Sequence, residues 1–200
     1  AEAEARRREF ELVREMRAAV RRGNASSSRP DEQQLKTRDS SIKKNTTMIK
    51  KLRTITAENK ASMLQDLGKV NVSKYVTEAA TSCIEGKMKS SDINAAVEII
   101  SCMHQTYGDF AAPLIETLSA FVLPPKPEKL LKMAEGEVET LPSPLQRRTK
   151  LRLFMELYLV GVCPKVDPIL NAVKEIARLE YKTAPDLYQH SLSTLSSFAK

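Results

Sequence analysis

The stretch from Asp92 to Phe110 constrains the fold of this chain more than any other part of the sequence. On a period of 3.6 residues its apolar side chains cover most of the circumference of a helix, and only a thin polar stripe remains. Such a helix must be covered on several sides, so it belongs to the interior of a helical layer. Ser90 and Ser91 are suited to cap its first turn, and Gly108 to end it in the left-handed conformation. The core residues predicted here are Ile93, Val97, Ile100, His104 and Tyr107.

A second nearly buried helix is predicted from Leu145 to Val162. It contributes three further residues to the predicted core, namely Phe154, Leu157 and Tyr158. Arg152 and Glu156 lie four residues apart in this helix, which is the spacing of neighbours on one helical face. They are therefore predicted to form a structural ion pair, either with each other or with neighbouring helices.

The pattern along the rest of the chain favours an all-α fold. Strict apolar and polar alternation over four to eight residues is almost absent, so little material for a sheet is present. From Ser73 onward, helices of about fifteen residues come in short-linked pairs that repeat at about forty residues, which is typical of helical-hairpin solenoids. With 200 residues, of which 42% are hydrophobic, the chain can fill one ordinary core.

The ends of the chain differ from its middle. Residues 2–22 form a charged helix with a single narrow apolar stripe, and Gly23 to Pro30 is a polar, flexible break. We therefore assign residues 1–33 to an N-terminal helix with its linker, and residues 34–200 to a helical-hairpin domain. Leu123 to Pro144 is Pro-rich and linker-like, with one short helix at Glu128 to Val138. The last helix, from Pro185, has no covering partner, so we expect the domain to be truncated at its C-terminus.

The helix that begins near Ser40 is amphipathic and strongly basic. Between Lys36 and Lys60 eight basic residues face two acidic ones, and this stretch holds most of the net charge of +7. Lysine pairs on the outer face could hold phosphates, but no aromatic side chain is there to stack on bases. Any RNA contact would therefore be salt-sensitive and directed at the backbone, and the alternative is a solvated face. The candidate RNA contacts are Lys43, Lys44, Lys50, Lys51 and Arg53.

The sequence contains no pattern of an enzyme or of a metal site. The two histidines, His104 and His190, lie far apart without further ligands at helical spacing, and phosphate-loop, nucleophile-elbow and paired-cysteine motifs are missing. We predict no catalytic residue, no cofactor, no metal and no small-molecule substrate. The longest apolar run, Leu153 to Cys163, is too short for a bilayer, so no membrane partner is predicted. The three cysteines, widely spaced in apolar sequence, are typical of reduced thiols in the cytosol or nucleus.

Three segments carry a resemblance to a known family. They are SSIKKNTTMIKKLRTIT from Ser40 to Thr56, DINAAV from Asp92 together with HQTYGDFA from His104, and LRLFMELYLVG from Leu151 to Gly161. They closely resemble the first middle domain of the family of the second up-frameshift factor, the adaptor of nonsense-mediated mRNA decay. The match runs in one order from about Ser28 to Lys200.

The resemblance implies both a fold and a function. The fold is an α-solenoid of stacked antiparallel helix hairpins, HEAT-like and similar to the middle domain of initiation factor 4-gamma. The function is that of a non-enzymatic scaffold that supports assembly of the surveillance complex, in the cytoplasm, near the nucleus or shuttling through it. The family contacts the up-frameshift helicase and the third up-frameshift factor through other parts of the full protein. Two alternatives stay open: an RNA-binding module using the basic helix, and a middle domain of a translation initiation or cap-binding factor.

Overall fold

The structure is a computed structural model that describes residues 2–26, 28–123, 142–178, 193, 195 and 196. The short helix predicted at Glu128–Val138 lies outside these residues, as do His190 and most of the predicted last helix. The described residues are mostly helical and contain no strand, and their one extended pairing is an isolated bridge between Asp39 and Val70. The predicted all-α class is confirmed.

Nine α-helices and two 3-10 turns make up the described part of the chain. The turns are Ser73–Tyr75 and Ser90–Asp92. The helices are α1 Glu2–Ala25, α2 Glu32–Lys36, α3 Ile42–Leu52, α4 Lys60–Lys69, α5 Val76–Glu85, α6 Ile93–Thr106, α7 Ala111–Val122, α8 Pro144–Leu159 and α9 Asp167–Ala177.

The helices pack in two layers. In one layer α3 packs on α5, α5 on α7 and α7 on α9, and in the other α4 packs on α6 and α6 on α8. Hairpins such as α3 with α4 and α7 with α8 connect the layers. Each layer buries the apolar stripes of successive helices, which is how a stack of hairpins builds one continuous core. The predicted α-solenoid of stacked hairpins is therefore confirmed.

Most of the predicted core residues are buried. Ile100 and Phe154 are completely inaccessible to solvent, and Ile93, Val97, Tyr107 and Leu157 are at most 7% exposed. The other two predicted core residues, His104 and Tyr158, are only partly buried. His104 lies near the end of α6, where the covering chain is the segment around Arg29 and not another helix. Tyr158 packs against the core, and partial burial is usual for a side chain with an apolar body and a polar tip.

Two predicted helix ends differ from the structure because tertiary contacts decide them. α1 continues through Gly23 to Ala25, so the predicted break begins too early. α6 ends without a left-handed Gly108, because Tyr107 turns the chain into an extended conformation while its hydroxyl bonds the backbone at Val70 and Val72.

α8 begins at a cap that its sequence provides. The Ser143 hydroxyl accepts a hydrogen bond from the Gln146 N–H, and the Gln146 side chain accepts one from the Ser143 N–H at 2.9 Å. Pro144 fills the first helical position, where a missing N–H costs little. The helix ends at Leu159, before the predicted Val162, and Gly161 makes the turn with a φ of +80°. With this start, α8 packs against α6 in its own layer and against α7 in the other layer.

Candidate functional site

The N-terminal helix is fastened to the stack by an ion pair. Arg17 donates from Nε to one carboxylate oxygen of Glu156 at 2.8 Å and from Nη2 to the other at 2.5 Å. The hydrogen bond to Glu156 raises the pKa of the Arg17 guanidinium, although partial burial opposes it. Of the two alternatives predicted for Arg152 and Glu156, a pair with each other or with neighbouring helices, the structure shows the second for Glu156, which pairs with α1, while Arg152 is exposed. Glu156 pairs with Arg17 because this guanidinium supplies two parallel hydrogen bonds in a partly buried site.

A second attachment of α1 to the stack lies near the C-terminal end of the helix. The Asn24 amide donates to Ser101 Oγ at 3.1 Å and to the Val160 carbonyl at 2.9 Å, and it accepts from Gln105 Nε2 at 2.9 Å. Asn24 is buried, so these bonds are made away from water and leave its amide satisfied. They explain why the helix continues past Gly23 and why α1 contacts both α6 and α8. The division between residues 1–33 and 34–200 stays a prediction, but α1 lies directly on the stack.

The outer face of α1 leaves apolar side chains in solvent. Phe10 is 64% exposed, Leu12 58% and Met16 48%. The attached face carries Val13, Arg17, Val20 and Asn24 at the three- and four-residue spacing of one helical face. Beneath that face lies a small apolar cavity of about 70 Å³ between α1, α6 and α8.

The five predicted RNA contacts are all exposed on or just after α3. Lys51 is paired with Asp66 at 2.6 Å, and Arg53 with Glu85 at 3.2 Å. The three remaining lysines, Lys43, Lys44 and Lys50, have no hydrogen-bonded or ion-pair partner in the described part of the chain. The inward face of α3 is Asn45, Met48 and Leu52, whereas Ile42 at its start is 72% exposed. The outer side of α3 therefore forms an exposed lysine face, but ion pairs with Asp66 and Glu85 neutralise part of the positive charge of this stretch.

A groove runs between α3 and α4 beside this lysine face. It has a volume of about 150 Å³. Its residues are Lys44, Thr47, Met48, Lys51, Asp66, Lys69 and Val70. The pKa of Asp66 lies below its usual value, mainly because Lys51 bonds its carboxylate, with weaker contributions from the charges of Lys69 and Lys44. Sequence reasoning missed Lys69 because no helix was predicted at α4, so nothing indicated that it faces α3.

The potentially reactive side chains are held in their neutral forms. Burial raises the pKa of the Cys83 thiol to about 12 and raises those of Cys102 and Cys163 as well, so the nucleophilic thiolate is disfavoured. Burial and the nearby Arg29 lower the pKa of His104, which leaves its imidazole neutral. Within the described ranges no three His, Cys, Asp or Glu side chains come together as a metal would require. None of the helices described is long and apolar enough to span a bilayer.

Two buried cations on α8 were not predicted. Lys150 is 1% exposed, with its ammonium 3.4 Å from the Cys83 carbonyl and 5.9 Å from the centre of the Phe121 ring. Burial lowers its pKa to about 8. Arg147 is 8% exposed, its Nε has no hydrogen-bonded partner among the residues that the structure describes, and burial lowers its pKa too. Lysine and arginine are rarely this buried, so no sequence pattern would have placed them in the core.

Comparison with known proteins gives close sequence relatives. No family model matches the chain. It is 39% identical over 199 residues to "Regulator of nonsense transcripts UPF2" of Arabidopsis thaliana, an alignment that covers 100% of this chain and 16% of that protein. It is 40% identical over 139 residues to "Regulator of nonsense transcripts 2" of Homo sapiens, covering 70% of this chain and 10% of that protein. The chain thus spans only a small part of the length of these relatives.

Two solved structures share the fold. The crystal structure of the first MIF4G domain of human nonsense mediated decay factor UPF2 matches with a TM-score of 0.76 and 32% identity, over 98% of this chain and 61% of that one. The N-terminal mIF4G domain of Saccharomyces cerevisiae Upf2 matches with a TM-score of 0.62 and 25% identity, over 94% of this chain and 65% of that one. Both likenesses extend over nearly all of this chain.

Proposed function

This chain belongs to the family of the first MIF4G domain of UPF2, and from that premise we propose that it is a scaffold that supports assembly of the nonsense-mediated mRNA decay complex. The observation that carries the proposal is the similarity along the whole chain to a plant protein named as a regulator of nonsense transcripts. This similarity supports an adaptor domain of the decay machinery. What we propose beyond it is that the domain takes part in assembly of the complex.

The physical basis of the proposed mechanism is rigidity. The two layers share one continuous core, and Arg17 and Asn24 fix α1 to it. Close-packed interiors deform little, so side chains on the two outer faces are held at fixed separations. A partner that touches several helices of one face then binds a preorganised surface and loses less conformational entropy on binding. In this proposal the domain works through geometry and not through bond chemistry.

A non-enzymatic role agrees with what is known of the relatives and with this core. The plant relative is named a regulator, and its fold class is that of a non-catalytic domain. We propose protein partners in the decay machinery, with the up-frameshift helicase and the third up-frameshift factor bound through other parts of the full protein, and an action in the cytoplasm. The similarities do not favour an RNA-binding module or a middle domain of an initiation or cap-binding factor as the main role.

The test is co-purification from cells that express the full protein. Ile100→Asp puts a carboxylate into the core at a position with no solvent exposure, so the domain should unfold while the rest of the protein persists. Asn94→Asp adds the same charge on the exposed face of the same helix and is the matched control. We expect Ile100→Asp to reduce several-fold, at equal bait, the recovery of decay-complex proteins other than those bound through other parts of the protein, and Asn94→Asp to leave it unchanged. Equal recovery with the unfolded variant would refute a scaffolding role.

A further inference from the structure

We propose that the groove between α3 and α4 binds an acidic segment of a partner protein, with carboxylates on Lys44 and Lys69 and an aliphatic side chain on the groove floor. The inference deepens the proposed function and rests on it in one respect, namely that the partner is a protein. It adds a site that joins Lys69, which is not among the predicted RNA contacts, to Lys44 and Lys51, which are.

The net positive charge of the groove favours the binding of an anion. Three ammonium groups, those of Lys44, Lys51 and Lys69, surround the single carboxylate of Asp66. Asp66 is bound by Lys51 at 2.6 Å, so one positive charge is already matched. The side chains of Lys44 and Lys69 are exposed and have no ion-pair or hydrogen-bonded partner in the described ranges, although the charge of Asp39 also acts on Lys44. The groove therefore keeps two cations that no ion pair holds within the described ranges.

Asp66 shows how a carboxylate is held in this groove. Its oxygen lies within hydrogen-bond distance of Lys51 and close enough to the other two lysines that they lower its pKa. A carboxylate from a partner would meet the same ammonium groups from the open side. Asp66 also competes for Lys51, so it limits how strongly the groove attracts an external acid.

The floor distinguishes a peptide from a nucleic acid. Met48 and Val70 form it, at 2% and 6% exposure, and with Thr47 they leave a cavity of about 150 Å³ under the lysines. An aliphatic side chain fits such a floor, whereas a single RNA strand offers phosphates and flat bases that usually stack on aromatic rings. No aromatic residue lines the groove. The mixture of an apolar floor and a cationic rim therefore favours an acidic and aliphatic peptide.

The spacing of the lysines fits such a peptide. Lys44 and Lys51, which a partner would share with Asp66, are seven residues apart on α3, a rise of about 10.5 Å along the helix. An extended peptide advances about 3.3 Å per residue, so acidic residues three apart span about the same length. Lys43 and Lys50 repeat the spacing on the outer side of the helix and extend the cationic surface. An acidic peptide lying along α3 would meet both rows.

The experiment measures the binding of three labelled probes to the full protein by fluorescence anisotropy. The probes are a peptide of repeated Glu-Leu-Glu, an all-glutamate peptide of equal charge, and an oligouridylate of equal charge. We expect the mixed peptide to bind most tightly. Lys44→Gln and Lys69→Gln should each weaken it by about 2- to 5-fold, as expected for rim charges. Asp66→Asn should tighten it, because it frees Lys51 and removes the competing charge.

The control is Lys174→Gln, which removes the same charge from an exposed position on α9 and should change nothing. Carbodiimide cross-linking of the mixed peptide should join its carboxylates to Lys44 and Lys69, and not to Lys174. Tightest binding of oligouridylate, an equal loss with Lys174→Gln, or no binding of the peptide would each overturn the site. Even then, a loss of partner proteins with Ile100→Asp in the co-purification would still support the scaffold. The binding experiment can therefore refute the groove without refuting the proposed function.

Discussion

Arg17 and Glu156, 139 residues apart in the sequence, form a two-bond ion pair that fastens the first helix to α8. The side chain of Glu156 is 13% exposed and that of Arg17 34%, so the pair is partly shielded from water. Together with Asn24, it makes α1 an integral part of the helical stack. Which face of the domain stays open to partners therefore depends on whether α1 remains in place.

Loss of this pair should loosen α1. We expect Glu156→Gln to lower the free energy of unfolding by about 1 kcal/mol, since one charge-assisted bond is weakened in a site that solvent still screens in part. Hydrogen exchange of the α1 amides should accelerate more than that of α6. Arg152→Gln on the same helix is the control and should leave both quantities unchanged. If Arg152→Gln had the larger effect, the pairing described here would be wrong.

Lys150 should make stability depend on alkaline pH. Burial lowers its folded-state pKa from 10.5 to about 8, so between these values the unfolded chain binds more protons. The free energy of unfolding contributed by this group therefore rises from about pH 8 to pH 10.5. Below pH 8 the buried charge costs on the order of 3 kcal/mol.

Lys150→Met tests this directly. It fills the same space without a charge, and it forfeits the contacts with the Cys83 carbonyl and the Phe121 ring. We expect a net gain of about 1–2 kcal/mol in urea unfolding at pH 7, and we expect the gain to vanish near pH 10.5. An advantage that stays constant across this range would show that Lys150 is not neutralised on folding.

Replacement of Gly86 and of Gly68 by alanine should change the free energy of unfolding in opposite directions. At Gly86 a Cβ would lie 2.7 Å from the carbonyl carbon of Arg53, which is backbone and cannot yield easily. Gly86→Ala should therefore cost about 1–3 kcal/mol. At Gly68, inside α4, a Cβ would meet nothing within 4 Å, so Gly68→Ala should gain about 0.5–1 kcal/mol. Thermal unfolding of both variants checks the pair, and a stabilising Gly86→Ala would contradict the close approach.

Periodicity was sufficient to predict the α6 core. Ile93, Val97 and Ile100 recur at helical spacing, and the structure buries all three. The same argument succeeded for Phe154 and Leu157 in α8. Such positions are predictable because one face of a helix must be apolar to reach the core, whatever packs against it.

Long-range partners were not predictable in this way. Helical spacing suggested Arg152 for Glu156, but it carries no information about Arg17, which reaches Glu156 through the fold. Gly23 resembles a helix end, and only the buried partners of Asn24 explain why the helix goes on. The groove needed Lys69 to be brought beside α3, and that juxtaposition also exists only in the folded chain.

The decay of a reporter mRNA with a premature stop codon tests the central claim most directly. In cells whose own copy of the protein is replaced, the half-life of that reporter would be measured with Ile100→Asp and with Asn94→Asp at matched protein abundance. If the folded stack is what supports decay, Ile100→Asp should lengthen the half-life several-fold and Asn94→Asp should leave it at the wild-type value. Normal decay in the presence of Ile100→Asp, with its domain shown to be unfolded, would contradict the account.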